Sequence, residues 1–457
     1  MPDTIPAIYE TLESAGLRSE TDLPTLDSIG KKQLVRLYSQ LFSLIYDDQN
    51  SRPVVDRSHD ELDPFRFIAS ASLRGASGCA EPGCQIKKLD LLGRYAALYA
   101  NHVAIPLPMV RSAKLESVND FRQALAGAAL ILLRLRPVFT GGIAAPTVMV
   151  SQHCVHTIKW VDEMTELVHQ VADDAADLIS AEFKVEYQLP DKSPSGRSTV
   201  YLEGSTDFID HGSLVFLFDE SGNFRQKSWR FDKHGKTELK GEKKAFFLKH
   251  ILHTIAEDTT FYLAYGRYHE GRLLTDRKGD TFLLAGLPRK DQMVDTSSAM
   301  GMLSHAVPLV SELPLSTLVR IREQERDAFE SYRIALSRIT NDILTRDKAV
   351  SGAEASELLR AEIQPRLAKL KNEVNAERKR QRNRVIAGSA ALAAGVAIGA
   401  FGHLPFAATA SLTATAAATG ARLLGKAAES ACEHGANLAQ QDDLYFILRL
   451  MQEEHYG

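Results

Sequence analysis

The chain has 457 residues, of which 44% are hydrophobic and 25% are charged. That composition is typical of a globular protein and excludes a wholly disordered or collagen-like chain. The 54 basic and 58 acidic residues leave a net charge of -4, so overall charge does not favour nucleic acid as a partner. Four cysteines exclude a disulfide-dense secreted scaffold.

The N-terminal sequence contains no basic stretch followed by an apolar one, which a signal peptide requires. We therefore expect a cytoplasmic protein whose thiols are reduced. Under that expectation the cysteines are core residues, metal ligands or reactive thiols.

Residues 1–190 are predicted to form a helical domain. Apolar side chains recur at helical spacing around Leu37 and Leu92, and a further helix is expected from Asp162 to Ile179. Two prolines favour an extended segment over 103–108. A short strand is expected over 183–187.

Residues 198–315 are predicted to form a small antiparallel sheet with one helix, after a linker rich in Pro, Ser and Gly. Alternating or β-rich segments separated by turn residues indicate a meander. The expected strands are 199–202, 214–218, 224–231 and 237–240, with two more, 272–275 and 281–284, flanking a charged turn, Asp276–Asp280.

Residues 316–457 are predicted to form a helical arm that ends in a hydrophobic hairpin. Apolar stripes around Phe329 and Leu367 have helical spacing, and a strongly apolar helix is expected near Phe446. The fold class is therefore expected to be α+β and predominantly α-helical. It has a small antiparallel sheet in the middle and a C-terminal helical arm with an Ala/Gly-rich hairpin.

Cysteine and histidine spacing predicts one structural zinc site. Cys79 and Cys84 flank a Pro-Gly turn, and Cys154 lies two residues before His156, some seventy residues later. Zinc is commonly held by four nitrogen and sulfur ligands supplied as two short-spaced pairs. His153 competes for the fourth position, and the alternative is two ordinary thiols on a loop with a buried Cys154.

Residues 385–421 contain no Lys, Arg, Asp or Glu over 37 positions. Gly402–Pro405 divides this tract into two legs, and both of its ends are basic. Five cations stand directly before it: Arg378, Lys379, Arg380, Arg382 and Arg384. A hairpin whose two ends lie on one cationic face fits a bilayer entered from the cytoplasm, and cations next to an apolar segment favour anionic headgroups.

The first leg also has small residues at every fourth position, which allow helices to approach closely. These are Ala387, Ala391, Gly395 and Gly399. The arrangement is similar to the hydrophobic hairpin of pore-forming toxins such as colicins. The likeness covers that tract alone and rests on composition, so it implies no activity. Both legs are shorter than the ~20 residues that a span prefers. A helix pair buried in protein, or a flexible tract, are the alternatives.

Motifs for catalysis are weak. The chain has no phosphate-binding G-x-x-x-x-G-K-[ST], no G-x-G-x-x-G and no H-E-x-x-H. Glu182-Phe-Lys184, with Asp174 and Asp177 before it, could bind Mg²⁺ in a nuclease. His250, His253 and Glu257 share one predicted helix face. They could bind a metal together, but a solvated helix surface is the more common explanation of such a pattern.

These patterns leave three hypotheses for function. The first is a non-enzymatic protein at the cytoplasmic face of a membrane, possessing a hairpin that inserts under the control of the soluble domains. The second is a soluble, self-associating interaction or scaffold protein that buries 385–421. The third is a metal-dependent nuclease-like enzyme with an unidentified site. Lipid or a second copy of the chain is the expected partner, and a protein partner is compatible with the first two.

Overall fold

A computed structural model describes most of the first three-quarters of the protein. The described residues are 4–51, 65–74, 82–112, 115, 117–148, 155–189, 198–204, 213–218, 235–268, 271–275, 277, 280, 283, 313–346 and a few positions between 361 and 450. The chain divides into two compact units, residues 1–307 with 314–319 and residues 308–313 with 320–457.

Within the described residues the protein is predominantly helical, as the sequence predicts, and it has two small sheets instead of the one expected. The helices are α1 (Thr4–Ser14), α2 (Lys31–Ser51), α3 (Pro82–Tyr99), α4 (Val118–Arg134), α5 (Arg136–Thr140), α6 (Val155–Ile179), α7 (Gly241–Tyr268), α8 (Leu315–Gln324) and α9 (Arg326–Arg346). The strands are β1 (Arg66–Ala69), β2 (His102–Leu107), β3 (Ala144–Val148), β4 (Lys184–Gln188), β5 (Ser198–Glu203), β6 (Ser213–Phe218), β7 (Lys236–Glu238) and β8 (Arg272–Leu274).

One of the two sheets is parallel, which corrects the expectation of antiparallel pairing alone. Its described strands have the order β3-β2-β1-β8, and each neighbouring pair is parallel. Nearly every residue of β1, β2 and β3 is buried. Strands that are buried on both faces have continuous apolar sequences. They therefore lack the alternation of apolar and polar residues that identifies a half-exposed strand in a sequence.

The order of these strands follows from their connections. Helix α3 joins β1 to β2, and α4 with α5 joins β2 to β3, so the sheet grows in one direction from β1. Strand β8 enters much later in the chain and pairs with the opposite side of β1. The direction of sheet growth therefore reverses between β1 and β8.

The second sheet is antiparallel and has the order β6-β5-β4-β7 among the described strands. It confirms the strands predicted at 183–187, 199–202, 214–218 and 237–240, within one or two residues at each end. The strand predicted at 224–231 lies outside the described residues. The one predicted at 281–284 is wrong at Leu283, which is helical.

Helices α6 and α7 join both sheets to one hydrophobic core. In the first half of α7, Phe247 contacts Tyr187 of β4, with 5.4 Å between ring centroids. In the second half, the Gly266 backbone lies against Ile68 of β1. The core includes buried residues from α6, α7 and both sheets. The parallel sheet thus combines strands from the predicted first and middle domains, although the three-domain division itself remains a prediction.

In the second unit, residues near the C-terminus pack on α9. Phe446 lies 5.2 Å from Phe329 and 5.7 Å from Tyr332, measured between ring centroids. All three side chains are buried. The apolar segment predicted near Phe446 is therefore helical where it is described and packs against α9.

Substitution at Gly266 tests the close approach of α7 to the parallel sheet. A Cβ at this position would stand 2.6 Å from the Gly271 carbonyl oxygen and 3.1 Å from Ile68 Cγ2. We expect Gly266→Ala to lower the free energy of unfolding by about 1–3 kcal/mol, because the backbone has to move. Urea unfolding measures this value.

The matched control is Gly83→Ala in the first turn of α3, where a Cβ meets no atom within 4 Å. Alanine favours helix by up to about 1 kcal/mol over glycine, so the control is neutral or stabilising. Equal losses in the two variants would contradict the close packing of α7.

Candidate functional site

The carboxyl ends of β1 and β8 form the best candidate for a binding site. In open sheets with helices on both faces, ligands bind outside the carboxyl ends of the strands where the strand order reverses. Here that reversal lies between β1 and β8. The backbone N–H of Ser70, directly after β1, donates to the carbonyl of Leu274 at the end of β8, at 2.9 Å.

Hydroxyl side chains from both strand ends meet at this edge. Ser70 Oγ lies 2.7 Å from Ser72 Oγ, and Ser72 Oγ lies 3.4 Å from Thr275 Oγ1. Thr275 directly follows β8. All three residues are at least 97% buried. A row of buried hydroxyls therefore crosses from β1 to β8.

Asp280 accepts the hydrogen bond at the end of this row of hydroxyls. Thr275 Oγ1 donates to Asp280 Oδ2 at 2.6 Å, and Thr259 Oγ1 of α7 donates to Oδ1 at 2.7 Å. Asp280 is only 1% exposed. A carboxylate so deeply buried is costly unless hydrogen bonds and a counter-charge satisfy it. Asp280 is therefore the organising acceptor of this edge rather than the end of a solvated turn, which corrects the sequence interpretation of 276–280.

Arg277 supplies the counter-charge. Its Nε donates to Asp280 Oδ1 at 2.6 Å, and its Nη2 lies 2.9 Å from Asp258 Oδ2 on α7. Burial alone lowers the pKa of Arg277, but the two carboxylates outweigh burial and raise that pKa above its ordinary value. The guanidinium consequently stays charged and ties the segment after β8 to α7.

A second buried network lies at the carboxyl end of β3. The side-chain amide of Gln49 donates to the Tyr265 hydroxyl oxygen at 3.0 Å, and its oxygen accepts from the Val148 N–H at 3.0 Å. The Tyr265 hydroxyl in turn donates to the Val148 carbonyl. This network anchors α2 and α7 to the last residue of β3.

The predicted zinc residues fall partly outside the described chain. Cys79 and Cys154 lie outside the described residues, as does the side chain of His156. Cys84 is an exposed residue in the first turn of α3. His156 lies in the first turn of α6. Helix α3 follows strand β1 in the chain, and α6 follows β3. That the four proposed zinc ligands meet stays a prediction.

Of the two histidines predicted to share a face of α7, His253 contacts α6 and His250 contacts a neighbouring ring on α7. His253 Nε2 lies 2.9 Å from Asp173 Oδ1, and its ring stacks on that of His169 at 4.2 Å between centroids. His250 stacks on Phe246 one turn earlier. Among the described residues, no group of three or more His, Cys, Asp or Glu side chains could hold a metal ion.

The Glu182-Phe-Lys184 motif lies at one end of the antiparallel sheet, in an open groove of about 760 Å³. Lys184 Nζ is 2.8 Å from Glu186 Oε1, and this hydrogen bond raises the pKa of Lys184. Asp177 lines the same groove, whereas Asp174 does not. The acidic residues of the motif are exposed, and among the described residues none of them belongs to a group that could hold a metal ion. The nuclease hypothesis stays a prediction.

The proposed lipid-contacting residues lie outside the described chain. These are the cations at 378–384, the small residues Ala387, Ala391, Gly395 and Gly399, and the whole of 385–421. Among the helices that are described, none is both long and apolar enough to cross a bilayer.

Residues that sequence reasoning missed are the hydroxyls of β1 and β8 and their acceptor, Asp280. The sequence does show where these hydroxyls stand relative to apolar runs: Ser70 directly follows residues 67–69, and Thr275 directly follows residues 273–274. That signal becomes informative only when the two runs are known to be neighbouring parallel strands.

Substitution of Asp280 tests how far the edge depends on one acceptor. We expect Asp280→Asn to lower the free energy of unfolding by about 3–5 kcal/mol, because the partly buried Arg277 charge loses its closest partner at a fully buried position. The control is Asp258→Asn, since Asp258 also binds Arg277 but its side chain is 37% exposed. That variant should lose no more than about 1 kcal/mol. Urea unfolding of both variants measures the difference, and equal losses would contradict the assignment.

Comparison with known proteins gives no match: no protein-family model, no curated protein and no solved structure matches this chain. The carboxyl edge of the parallel sheet and the uncharged tract of the sequence are therefore the features on which a function can be proposed.

Proposed function

We propose that this protein binds a small polar ligand, the size of a nucleotide, at the carboxyl edge between β1 and β8. We propose further that it contacts membrane lipid through residues 385–421 and the cations before them. Binding in the α/β unit would control the exposure of the uncharged tract. This joins the predicted membrane-associated function to the one site that the described residues support.

The observation that carries the binding proposal is the position of the polar cluster. The strand order reverses between β1 and β8, and the carboxyl edge at such a reversal is where doubly wound sheets bind nucleotides. Ser70, Ser72 and Thr275 place hydroxyl groups at this point. Hydroxyls and a fixed guanidinium are groups that orient polar ligands, whereas an apolar edge would favour none.

The ligand class follows from what the edge offers. Its described polar groups are already bonded to one another, so they form a preorganised rim rather than a set of unpaired groups that must be neutralised. The chain has no glycine fingerprint for a dinucleotide. The proposal is therefore a polar ligand of nucleotide size that binds beside the edge fixed by these hydroxyls, with no reaction assigned to it.

The lipid-contacting part is supported by the sequence alone. Five cations within seven residues precede 37 positions without charge. Each cation near an anionic surface contributes roughly 1 kcal/mol, so the five supply about 5 kcal/mol before any apolar insertion. The tract itself has a weak drive to insert because of its glycines and threonines, so the cations are expected to decide membrane contact.

Hydrogen exchange measured by mass spectrometry tests the binding site. The full-length protein is compared with and without ATP or NAD at millimolar concentration. We expect one of these probes to slow exchange in 70–74 and 271–275. A probe at about 100 times its Kd also adds about 2.7 kcal/mol to the free energy of unfolding.

The internal control is the groove at the antiparallel sheet, lined by Glu182 and Glu238, where exchange should not change. Protection confined to that groove, or no protection by either probe, would contradict the proposed site.

Flotation with vesicles tests lipid contact. We expect full-length protein to float with phosphatidylglycerol-containing vesicles and to stay in solution with neutral phosphatidylcholine ones. Changing Arg378, Lys379, Arg380, Arg382 and Arg384 to Gln should reduce flotation at least tenfold, because the electrostatic contribution is lost. Deleting 385–421 should abolish flotation that persists at high salt.

The matched control changes Lys240, Lys243 and Lys244 to Gln, near the start of α7, and should float like the unaltered protein. If the unaltered protein never floats but dissociates into monomers when 385–421 is deleted, self-association through the tract replaces the lipid proposal.

A further inference from the structure

Two histidine–carboxylate pairs cross the interface between α6 and α7 in opposite directions. His253 of α7 bonds Asp173 of α6, at 2.9 Å between Nε2 and Oδ1. His169 of α6 faces Glu257 of α7, at 3.5 Å between Nε2 and Oε1. On each helix the histidine and the acid are four residues apart, so they share one face. Each helix therefore presents one imidazole and one carboxylate to the other.

The two imidazoles also stack face to face. Their centroids are 4.2 Å apart and their planes differ by 4°. Parallel rings direct their Nε2 atoms to different carboxylates instead of toward one point, which explains why the cluster is not a metal site. A stack of two neutral rings suits a partly buried interface, whereas a charge placed on His169 there is costly unless it is paired.

Other charged groups face the same cluster. Lys249 Nζ lies 3.5 Å from Asp173 Oδ1, so it competes with His253 for that carboxylate. His250 lies one turn before His253 on α7 and is close enough to interact with it electrostatically. With neutral imidazoles the cluster carries one excess negative charge. Protonating all three histidines gives it two excess positive charges.

The position of His169 makes its protonation unfavourable in the folded state. Its Nε2 is buried and makes no hydrogen bond among the described residues. Burial lowers the pKa of His169 and the charge of His253 lowers it further, against the opposing effect of Glu257 and Asp173. Burial likewise lowers the pKa of His250.

The sign of the pH effect follows from these two directions. Between the lowered pKa and the ordinary histidine value of about 6.5, the unfolded chain binds more protons than the folded one. Stability is therefore fully present above about pH 6.5 and is lost as the pH falls through this window.

The location of the stack gives this loss a structural consequence. Next to it, Val168 and Ala172 of α6 and Leu252 and Ala256 of α7 belong to the core that joins the two sheets. Thr259 lies six residues after His253, or about 9 Å along α7, and bonds Asp280. A change in the packing of α6 on α7 would therefore reach both sheets.

We propose that His169 and His253, with Asp173 and Glu257, form an acid-operated clasp. It holds α6 against α7 at neutral pH and loosens them when His169, whose Nε2 is buried between the two helices, takes up a proton. The clasp requires neither the ligand nor the lipid proposed above, so its test is independent of theirs.

Hydrogen exchange of the full-length protein at pH 7.5 and pH 5.0 tests the clasp, with rates corrected for the intrinsic effect of pH. We expect the opening constant of segments 164–179 and 247–262 to rise at least tenfold on acidification. The double variant His169→Phe/His253→Phe keeps two stacking rings but cannot take up protons, and it should lose that rise. His250→Phe, on the same helix but outside the stack, removes only the contribution of His250, so the rise that depends on His169 should persist.

Glu257→Gln provides a second test in a variant that is expected to fold, because the Glu257 side chain is 63% exposed. It removes a carboxylate that favours protonated His169, so the acid-induced opening should become larger. A purely structural role for Glu257 would change stability equally at both pH values. The proposal is overturned if the unaltered protein shows no local opening at pH 5.0. It is also overturned if the double phenylalanine variant opens as much as the unaltered protein, or if Glu257→Gln leaves the acid response unchanged.

Discussion

The packing of α6 against α7 is the constraint on which the α/β unit depends. Neither sheet is large: the antiparallel sheet and the parallel sheet each have four described strands, several of them only three or four residues long. Small sheets bury enough apolar surface only when helices cover them. Helix α7 does so for both, with Phe247 against one sheet and Gly266 against the other. Because α6 holds α7 in place, the two small sheets share one hydrophobic core.

Helix α7 also carries polar groups that are solvated to very different degrees. Thr259 is completely buried and bonds a carboxylate that three donors satisfy. His253, less than two turns earlier, is about one-third exposed and bonds a carboxylate shared with Lys249. Full satisfaction makes the first group a fixed structural point. The second group is only partly buried and shares its carboxylate with another donor, so it is held less firmly.

The antiparallel sheet could be predicted from the sequence. For the parallel sheet, the segments of β2 and β8 were predicted as 103–108 and 272–275, but β1, β3 and the parallel pairing were not. Strands such as β4 alternate buried and exposed side chains between clear turn residues, so a local window identifies them. Strands β1 and β3 are short buried runs, Phe67–Ala69 and Ala144–Val148, which periodicity alone does not distinguish from helix.

The candidate site depends on pairings between distant segments, which is why sequence reasoning missed it. Asp280 lies in what looks like a charged turn, and only its contacts with Thr259 and Thr275 identify it as buried. His253 and Glu257 were identified as neighbours on one helix face, but their partners, His169 and Asp173, come from another helix eighty residues away. Spacing within one helix predicts which side chains share a face, and it does not predict what that face contacts.

Strand β8 has a consequence for synthesis of the protein. Translation adds roughly 200 residues between β1 and β8, which at about 5–20 residues per second takes on the order of 10–40 s. Throughout that interval one side of β1 has backbone N–H and C=O groups that its native neighbour cannot yet occupy. Exposed strand edges recruit other strands, including those of neighbouring nascent chains. Production of this protein should therefore be sensitive to chaperone supply and to growth temperature, even though none of the described strands is longer than six residues.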